Sequence, residues 1–227
     1  MHPILFNYSL NNETIQRVIV VKDLGALFDV KLTFQQHISL IITKASRQLG
    51  LIFRMTRDFR DISCLTALYC SLVRSQLEYC STIWTPHYHN AIQRIESIQC
   101  RFLRYALRLL PWRPMSDTRY GDRCQLLHLS TLQIRRETAR AMTVANVLAA
   151  RIDCPDILRQ INLNAPSRTL RRVPSMHLPF RRTNHSSNSA IIGLQRAFNR
   201  VSSVFDFHLS VEMLRSKSIT MFRQLLY

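Results

Sequence analysis

The pattern of apolar and polar positions divides the chain into a short β-rich beginning and a long helical remainder. Residues 4–10 alternate, and residues 14–21 are rich in β-branched side chains, as is typical of strands. Asn11-Asn12 lies between these runs as a turn signal, so the two runs predict a β-hairpin. Asp23-Leu24-Gly25 breaks the pattern before a short apolar piece that ends at Val30. Because an isolated hairpin is marginal in water, another surface has to cover this one.

Helical spacing begins after residue 33. Thr33 and Gln36 match a capping box in which Thr33 is the N-cap, and apolar residues then recur at intervals of three or four as far as Ile52. The charged residues of this first helix face the other way: Lys44, Arg47 and Arg54. A second helix is predicted over residues 63–84, and Pro86 ends it.

A third helix, predicted over residues 90–110, divides most sharply into two faces. Its apolar stripe comprises Ile92, Ile95, Gln99, Phe102, Ala106 and Leu109. A second stripe comprises Arg94, Arg101, Arg104 and Arg108. Like charges at these spacings repel each other by a few tenths of a kcal/mol per pair, and Glu96 is the only acid in the helix that can relieve this. We therefore favour contact with phosphate groups over the alternative of a solvated charged face.

Shorter helices are predicted after a rigid connector at residues 110–114. They cover residues 122–129, a longer stretch that begins at Ser130 and is ended by Asp153-Cys154-Pro155, a brief stretch from there to Ile161, and residues 191–205 and 211–226. Ser130-Thr131-Leu132-Gln133 is again a capping-box pattern. The apolar side of the helix that it opens comprises Leu132, Ala139, Met142, Ala145 and Ala149. The basic side comprises Arg135, Arg136 and Arg140.

The composition favours a helical protein with an anionic partner. Four glycines among 227 residues argue against a turn-rich all-β architecture, and a hydrophobic fraction of 47% is that of a folded protein. The net charge is +17, carried by 27 arginines and four lysines. Because the planar arginine fork suits phosphate better than the point charge of lysine does, nucleic acid is the leading partner. The alternative is a basic protein with solvated charged faces.

The charge is concentrated in a segment without acids. Residues 157–205 contain eight arginines and neither Asp nor Glu. Within them, residues 162–188 form a predicted loop, extended and mobile until an anion orders it. Its arginines are Arg168, Arg171, Arg172, Arg181 and Arg182.

Other chemistry is weakly supported. The apolar runs are too short to span a membrane. The six scattered cysteines contain no close-spaced zinc-binding pair, and this spacing favours reduced thiols in an intracellular protein.

His87 and His89 lack a third metal ligand nearby. A thiolate at Cys124, beside Arg123, is less favoured than a buried thiol, since no base is paired with it. Base stacking is an alternative for Trp84, Trp112 and Tyr88, whose position at helix ends favours core packing.

Several strings, in collinear order over nearly the whole chain, resemble one family. These are Val21-Lys22-Asp23-Leu24-Gly25 with Asp29, Leu32, Phe34 and His37; Leu68-Tyr69-Cys70-Ser71-Leu72-Val73-Arg74-Ser75 with Leu77-Glu78-Tyr79 and Trp84; Arg94-Ile95-Glu96-Ser97-Ile98-Gln99 with Arg101-Phe102; Leu110-Pro111-Trp112-Arg113; Tyr120; Arg123-Cys124; Arg135-Arg136; Arg168-Thr169-Leu170-Arg171; and Arg182-Thr183-Asn184. The set resembles the C-terminal part of reverse transcriptases of non-LTR (LINE-type, jockey-like) retrotransposons.

The resemblance implies a domain plan and an incomplete enzyme. Residues 1–33 would be a palm-end remnant, 34–110 a thumb-like helical bundle, and 111–227 an arginine-rich helical C-terminal region with the basic loop at 162–188. The fold class is therefore predicted as mainly α with a small N-terminal β-hairpin. The family's catalytic Tyr-x-Asp-Asp string does not occur here, nor does any Asp-Asp pair. The parent enzyme would use Mg²⁺, but its ligands are not among these residues, so we expect no cofactor and no polymerase activity from this chain alone.

The resemblance also implies what the chain does. The leading hypothesis is a fragment of an RNA-directed DNA polymerase that binds the backbone of RNA, DNA or a hybrid duplex, in the nucleus or the cytoplasm, and no membrane. The expected contacts are Arg94, Arg101, Arg104, Arg108, Arg135, Arg136, Arg168, Arg171, Arg172, Arg181 and Arg182. The alternative is a non-functional translated relic of a decayed element that binds nothing selectively. A third possibility is that a separate catalytic half supplies the enzyme activity in trans.

Overall fold

The computed structural model describes residues 6–58, 61–110, 118–164, 174–206 and 208–226. Its strands are β1 (Ser9–Leu10), β2 (Glu13–Thr14), β3 (Val20–Asp23) and β4 (Ala26–Asp29). Its α-helices are α1 (Gln35–Met55), α2 (Ile62–Leu68), α3 (Ser75–Glu78), α4 (Ser81–Trp84), α5 (His89–Arg108), α6 (Tyr120–Leu126), α7 (Leu132–Leu148), α8 (Pro155–Gln160), α9 (Asn184–Ser187), α10 (Ala190–Val201) and α11 (Val211–Leu226). A π-helical segment spans Tyr69–Arg74, and a 3₁₀ turn spans Ser202–Val204. The predicted fold class, mainly α with a small β-element at the N-terminus, is confirmed.

The N-terminal β-structure consists of two hairpins instead of the one that was predicted. β1 pairs with β2 around Asn11-Asn12, as expected for that turn, whereas β3 pairs with β4 around Leu24-Gly25. Both central residues of each turn have positive φ, between 43° and 88°. Such two-residue turns match the right-handed twist of paired strands. The break predicted at Asp23-Leu24-Gly25 is therefore a turn between two strands, and the short apolar piece that follows it is β4.

Only the second hairpin is covered by the helices. Ala26 of β4 is buried, the Phe28 ring contacts the Phe34 ring edge-on at 5.6 Å, and the Tyr79 hydroxyl donates to the Leu24 carbonyl at 2.8 Å. In contrast, every residue from 6 to 19 is exposed, including large apolar side chains such as Phe6 and Leu10. The first hairpin thus carries apolar surface that the described part of the chain does not cover.

Phe34, and not Thr33, is the N-cap of α1, and the Asp29 carboxylate binds the backbone immediately before the helix. The helix begins one residue later than predicted, at Gln35, and the φ of Phe34 is 55°. The Asp29 carboxylate accepts hydrogen bonds from the N–H groups of Thr33 and Phe34, at 2.9 and 2.7 Å, and from the Thr33 hydroxyl. Burial raises the pKa of Asp29, but these hydrogen bonds outweigh it, so that the pKa is lowered overall.

The predicted helix over residues 63–84 is continuous only as far as Glu78. It comprises α2, the π-helical segment and α3, and it is capped by Asp61, whose carboxylate accepts from the Ser63 N–H at 2.9 Å. Cys80, with a φ of 51°, then breaks the helix before α4. Trp84 at the end of α4 is fully buried, and its indole N–H donates to the Tyr79 carbonyl.

One hydrophobic cluster joins the first helices, and α7 links it to the last ones. Buried side chains of α1, α2, α3 and α5 share this cluster with Cys124, Leu127, Leu129 and Leu132, so the packing continues across the predicted boundary at residue 110. α7 contacts α3, α4 and α5 on one side and α10 and α11 on the other. Its N-cap is Thr131, one residue after the predicted Ser130.

The described parts of the predicted basic loop are anchored. Leu163 forms an antiparallel bridge with Met176, which is fully buried, and the Asn199 side-chain amide of α10 makes two hydrogen bonds of 2.8 Å to the backbone of Met176. The described residues up to 183 are non-helical, as the composition predicts, and they are packed against α10 at Met176; the expectation that the loop stays mobile until an anion binds remains a prediction. The part that contains Arg168, Arg171 and Arg172 lies outside the described residues.

Candidate nucleic-acid interface

The four arginines of α5 lie on its exposed face, as the sequence predicts. Arg94, Arg101, Arg104 and Arg108 are all exposed, whereas Phe102 and its apolar neighbours are buried. At 100° per residue the four arginines fall within about 80° of each other, and they span about 21 Å along the helix. None of the four forms an ion pair with the residues that the structure describes.

Glu96, the one acid of α5, points away from these arginines. Its carboxylate accepts hydrogen bonds from the Tyr120 hydroxyl, the Leu132 N–H (3.1 Å) and the Arg136 guanidinium (3.2 Å). The one acid of the helix that could relieve the repulsion between the exposed arginines is therefore engaged elsewhere. Burial, followed by the charge of Glu96, strongly raises the pKa of Tyr120, which keeps this phenol protonated as a donor.

α1 lies beside α5, and the two helices run parallel. Near their beginnings the Arg94 guanidinium donates to the Ser39 hydroxyl at 3.2 Å. Near their ends the Tyr105 hydroxyl donates to the Thr56 carbonyl at 3.0 Å, and the Tyr105 and Phe53 ring centroids are 4.2 Å apart. Because Arg94 lies at this contact between the two helices, the exposed face of α5 continues onto α1.

The exposed face of α1 is also basic. Lys44, Arg47 and Arg54 are exposed and lie within about 80° of each other on the helix. Ser39, at the seam with α5, is about 60° further round from Arg54. α1 contains neither Asp nor Glu. We call the surface formed by Lys44, Arg47, Arg54, Arg94, Arg101, Arg104 and Arg108 the α1–α5 basic face. Lys44, Arg47 and Arg54 were not among the predicted contacts. The absence of acids from α1, which is visible in the sequence, could have indicated them.

Arg135 and Arg136 do not belong to an exposed basic side of α7. Arg135 forms a two-pronged ion pair with Glu78, and its second nitrogen donates at 2.8 Å. Arg136 is only 1% exposed and pairs with Glu96. α7 is surrounded by other helices, so its basic residues have to lie inside and pair there. Their prediction as exposed phosphate ligands is wrong for this arrangement.

Arg140 is held inside in the same way. It is 9% exposed and lies under Gly193 of α10, where an added Cβ would come within 2.9 Å of the guanidinium carbon. Burial lowers the pKa of Arg140, and Glu137, 3.5 Å away, partly offsets this. The absence of a side chain at Gly193 therefore makes room for a buried arginine between α7 and α10.

Two of the remaining predicted arginines lie on other elements than α1 and α5, and three are outside the described residues. Arg181 and Arg182 are exposed, and Arg181 lines a recess with Arg159. Ser189, at the beginning of α10, lies between that recess and the cavity that Arg94 lines. Arg168, Arg171 and Arg172 are not described, so the proposed flexible clamp stays a prediction.

The other candidate chemistry is accounted for by packing. Burial raises the pKa of the Cys124 thiol to about 11, and hydrogen bonds with Gln99 and Tyr120 only partly offset this, so the favoured buried thiol agrees with the structure. Trp84 is in the core, as favoured, whereas Tyr88 is 56% exposed, so the favoured core packing is wrong for Tyr88. Trp112 lies outside the described residues. Within the described ranges no group of three or more His, Cys, Asp or Glu side chains is placed to hold a metal ion. All six cysteines are free.

No described helix combines the length and the apolar character that crossing a membrane requires. Comparison of the chain with protein-family models, with curated proteins and with solved structures finds no match. The family resemblance therefore depends on the sequence strings themselves, and the function has to be argued from the geometry of this surface.

Proposed function

We propose that this protein binds the backbone of nucleic acid, with little dependence on sequence, through the α1–α5 basic face. The observation that carries the proposal is the distribution of charge on two neighbouring parallel helices. Seven cationic side chains lie on their exposed sides, α1 has no acid, and the only acid of α5 is turned into the core. An extended polyanion that binds to such a cationic surface stabilises it, because attraction to the polyanion offsets the repulsion between neighbouring cationic side chains.

The family resemblance supports a more specific origin. We propose that the chain corresponds to the palm end, the thumb and the downstream helical region of a LINE-type reverse transcriptase. In such an enzyme the thumb helices hold the template-primer duplex by its backbone, which is the role that an acid-free helical face suits. Polymerase activity is not proposed for this chain alone, because its sequence has no paired aspartates for two-metal catalysis.

Filter binding of a labelled duplex at 50 and 200 mM salt tests the binding proposal. Each phosphate contact that releases a counterion contributes about −0.9 to the slope of log K against log salt, so four to seven contacts predict slopes of about −4 to −6. Weak binding with a flat salt dependence, or no binding at 50 mM salt, would refute the proposal.

The second candidate is the non-functional relic, and a specific observation favours it. The apolar side chains of the first hairpin, including Phe6, Tyr8, Leu10 and Ile15, are between 54% and 67% exposed. A protein that cannot cover such a surface is prone to aggregate. A cooperative thermal transition combined with steep salt dependence of binding would argue against the relic. Under the third possibility, activity supplied in trans, primer extension should fail with this chain alone, and a positive result would overturn the inference from the missing aspartates.

A further inference from the structure

The cavity that Arg94 lines has a volume of about 470 Å³. Its walls come from β4, from the beginnings of α1, α5 and α10, and from the segment that joins α4 to α5. Cavities of about 300–1,000 Å³ are typical small-molecule sites, and they form preferentially where separate parts of a protein meet. This cavity has both properties, because residues 1–33, 34–110 and 111–227 all contribute to its lining.

One part of the lining is aromatic and open to solvent. The aromatic lining residues are Phe28, Phe34, Trp84, His87 and Tyr88. Three large apolar residues of the lining stay exposed: Leu32 by 50%, Ile83 by 43% and Tyr88 by 56%. Exposed apolar side chains that gather at one cavity, instead of being scattered over the surface, are typical of a ligand-binding groove.

The charged part of the lining is cationic. Arg94 is the one Lys or Arg side chain among the described residues that line the cavity, and none of these residues is Asp or Glu. The Arg94 guanidinium donates to the Ser39 hydroxyl at 3.2 Å, and a guanidinium has five N–H donors, so further donors remain for a ligand.

Two helix ends add to the charge of Arg94. The helices α5 and α10, of 20 and 12 residues, begin at the cavity, and neither Tyr88 nor Ser189, their N-cap residues, makes a side-chain capping hydrogen bond. A helix N-terminus carries a partial positive charge that favours an anion. The cavity therefore combines an aromatic wall with a region of positive potential that no acidic lining residue balances among those described.

We propose that this cavity binds a small aromatic carboxylate, with the ring against the aromatic wall and the carboxylate paired with Arg94. Rings in edge-to-face or offset contact are stabilised beyond the area that they bury, and the planar guanidinium matches the two oxygens of a carboxylate. One arginine neutralises a monoanion, whereas a dianionic phosphate group would keep an unpaired charge. The inference goes beyond the proposed function and does not depend on it, because the ligand is a small molecule and not a polyanion.

The test uses three probes that separate the ring from the charge. Isothermal titration calorimetry of the full chain is carried out with naphthylacetate, with its neutral analogue naphthylacetamide, and with the aliphatic acid octanoate. Loss of the charged hydrogen bonds predicts about tenfold weaker binding of the amide. Loss of the ring contacts predicts about fivefold weaker binding of octanoate. Equal affinity of naphthylacetate and either other probe, or no binding of naphthylacetate at millimolar concentration, would overturn the inference.

Arg94→Gln is the informative variant, because the side chain is exposed and the substitution removes the charge while keeping a polar side chain. Its affinity for naphthylacetate should fall about tenfold, to that for the amide, and its affinity for the amide should not change. Arg101→Gln is the matched control, since Arg101 is also exposed on α5 but does not line the cavity. Both variants lose one charge from the α1–α5 basic face. Equal loss of naphthylacetate binding in the two variants, or no loss in Arg94→Gln, would overturn the inference.

Discussion

Replacing three arginines of the basic face distinguishes direct contact with phosphate groups from diffuse attraction to a protein of high net charge. The triple variant Arg101→Gln, Arg104→Gln and Arg108→Gln leaves Arg94 as the one arginine on this face of α5. Because all three side chains are exposed and without ion pairs in the described residues, each substitution should change the free energy of unfolding by no more than about 0.5 kcal/mol. Circular dichroism should therefore show an unchanged helical content.

The expected magnitude follows from counterion release. The four arginines span about 21 Å, a length over which duplex DNA carries about twelve phosphates, so each can find its own contact. If each arginine contributes about −0.9 to the slope of log K against log salt, the slope of the triple variant is less negative than that of the wild type by about 2.7. For the α5 contacts alone, affinity falls about 150-fold between 50 and 200 mM salt in the wild type and about fourfold in the variant.

Filter binding of a labelled duplex at four salt concentrations measures both slopes. The matched control is Arg159→Gln, Arg215→Gln and Lys217→Gln, which removes the same charge from exposed positions on α8 and α11. The control variant should lower the affinity for the duplex by less than the α5 variant does, and it should leave the slope of log K against log salt nearly unchanged. An unchanged slope in the α5 variant, or an equal loss of slope in the control, would refute the assignment of the basic face and indicate diffuse attraction to a cationic protein.

Three further predictions concern the packing that presents this face. Glu96→Gln leaves a buried guanidinium uncompensated and should lower the free energy of unfolding in urea by about 3–5 kcal/mol; a loss below 1 kcal/mol would contradict the role of the pair. Gly25→Ala should cost about 1–2 kcal/mol and speed amide exchange in the second hairpin, because φ is +88° and the new Cβ would be 3.3 Å from the Tyr79 ring. Gly50→Ala, where nothing lies within 4 Å, should stabilise and serves as the control. Asp29→Ala should cost about 1 kcal/mol at pH 7. Since the pKa of Asp29 is lowered in the folded protein, this contribution is present above about pH 4 and is lost as the pH falls through the folded pKa. The free energies of unfolding of the wild type and of Asp29→Ala should therefore converge in acid.

Local rules were sufficient for the helices and for the exposed stripe of α5. Helical periodicity identified α1, α5, α7 and the last two helices, because each buries one apolar stripe and its spacing is visible in the sequence. The same periodicity placed Arg94, Arg101, Arg104 and Arg108 on one exposed face. The turn at Asn11-Asn12 was also predictable, since a two-residue turn depends only on its own residues.

Tertiary contacts decided which arginines remain at the surface. Arg135 and Arg136 follow the same local pattern as the arginines of α5, but α7 is enclosed by its neighbours, so these side chains pair with Glu78 and Glu96 from other helices. Glu96 is a second case: at 100° per residue it already lies about 125° round the helix from the middle of the arginine stripe, but only the packing of α6 and α7 supplies its partners Tyr120, Leu132 and Arg136.

The sequence by itself thus determined that the protein is helical, basic and equipped with an arginine stripe, because composition and periodicity are local properties of the chain. Only the tertiary structure decided that α1 continues this stripe into one acid-free face, and that Glu96 pairs with Arg136 of α7 and not with the stripe. The physical reason is that charge pairing and hydrogen-bond satisfaction depend on residues that are 30 to 60 positions apart, whose meeting no local pattern encodes.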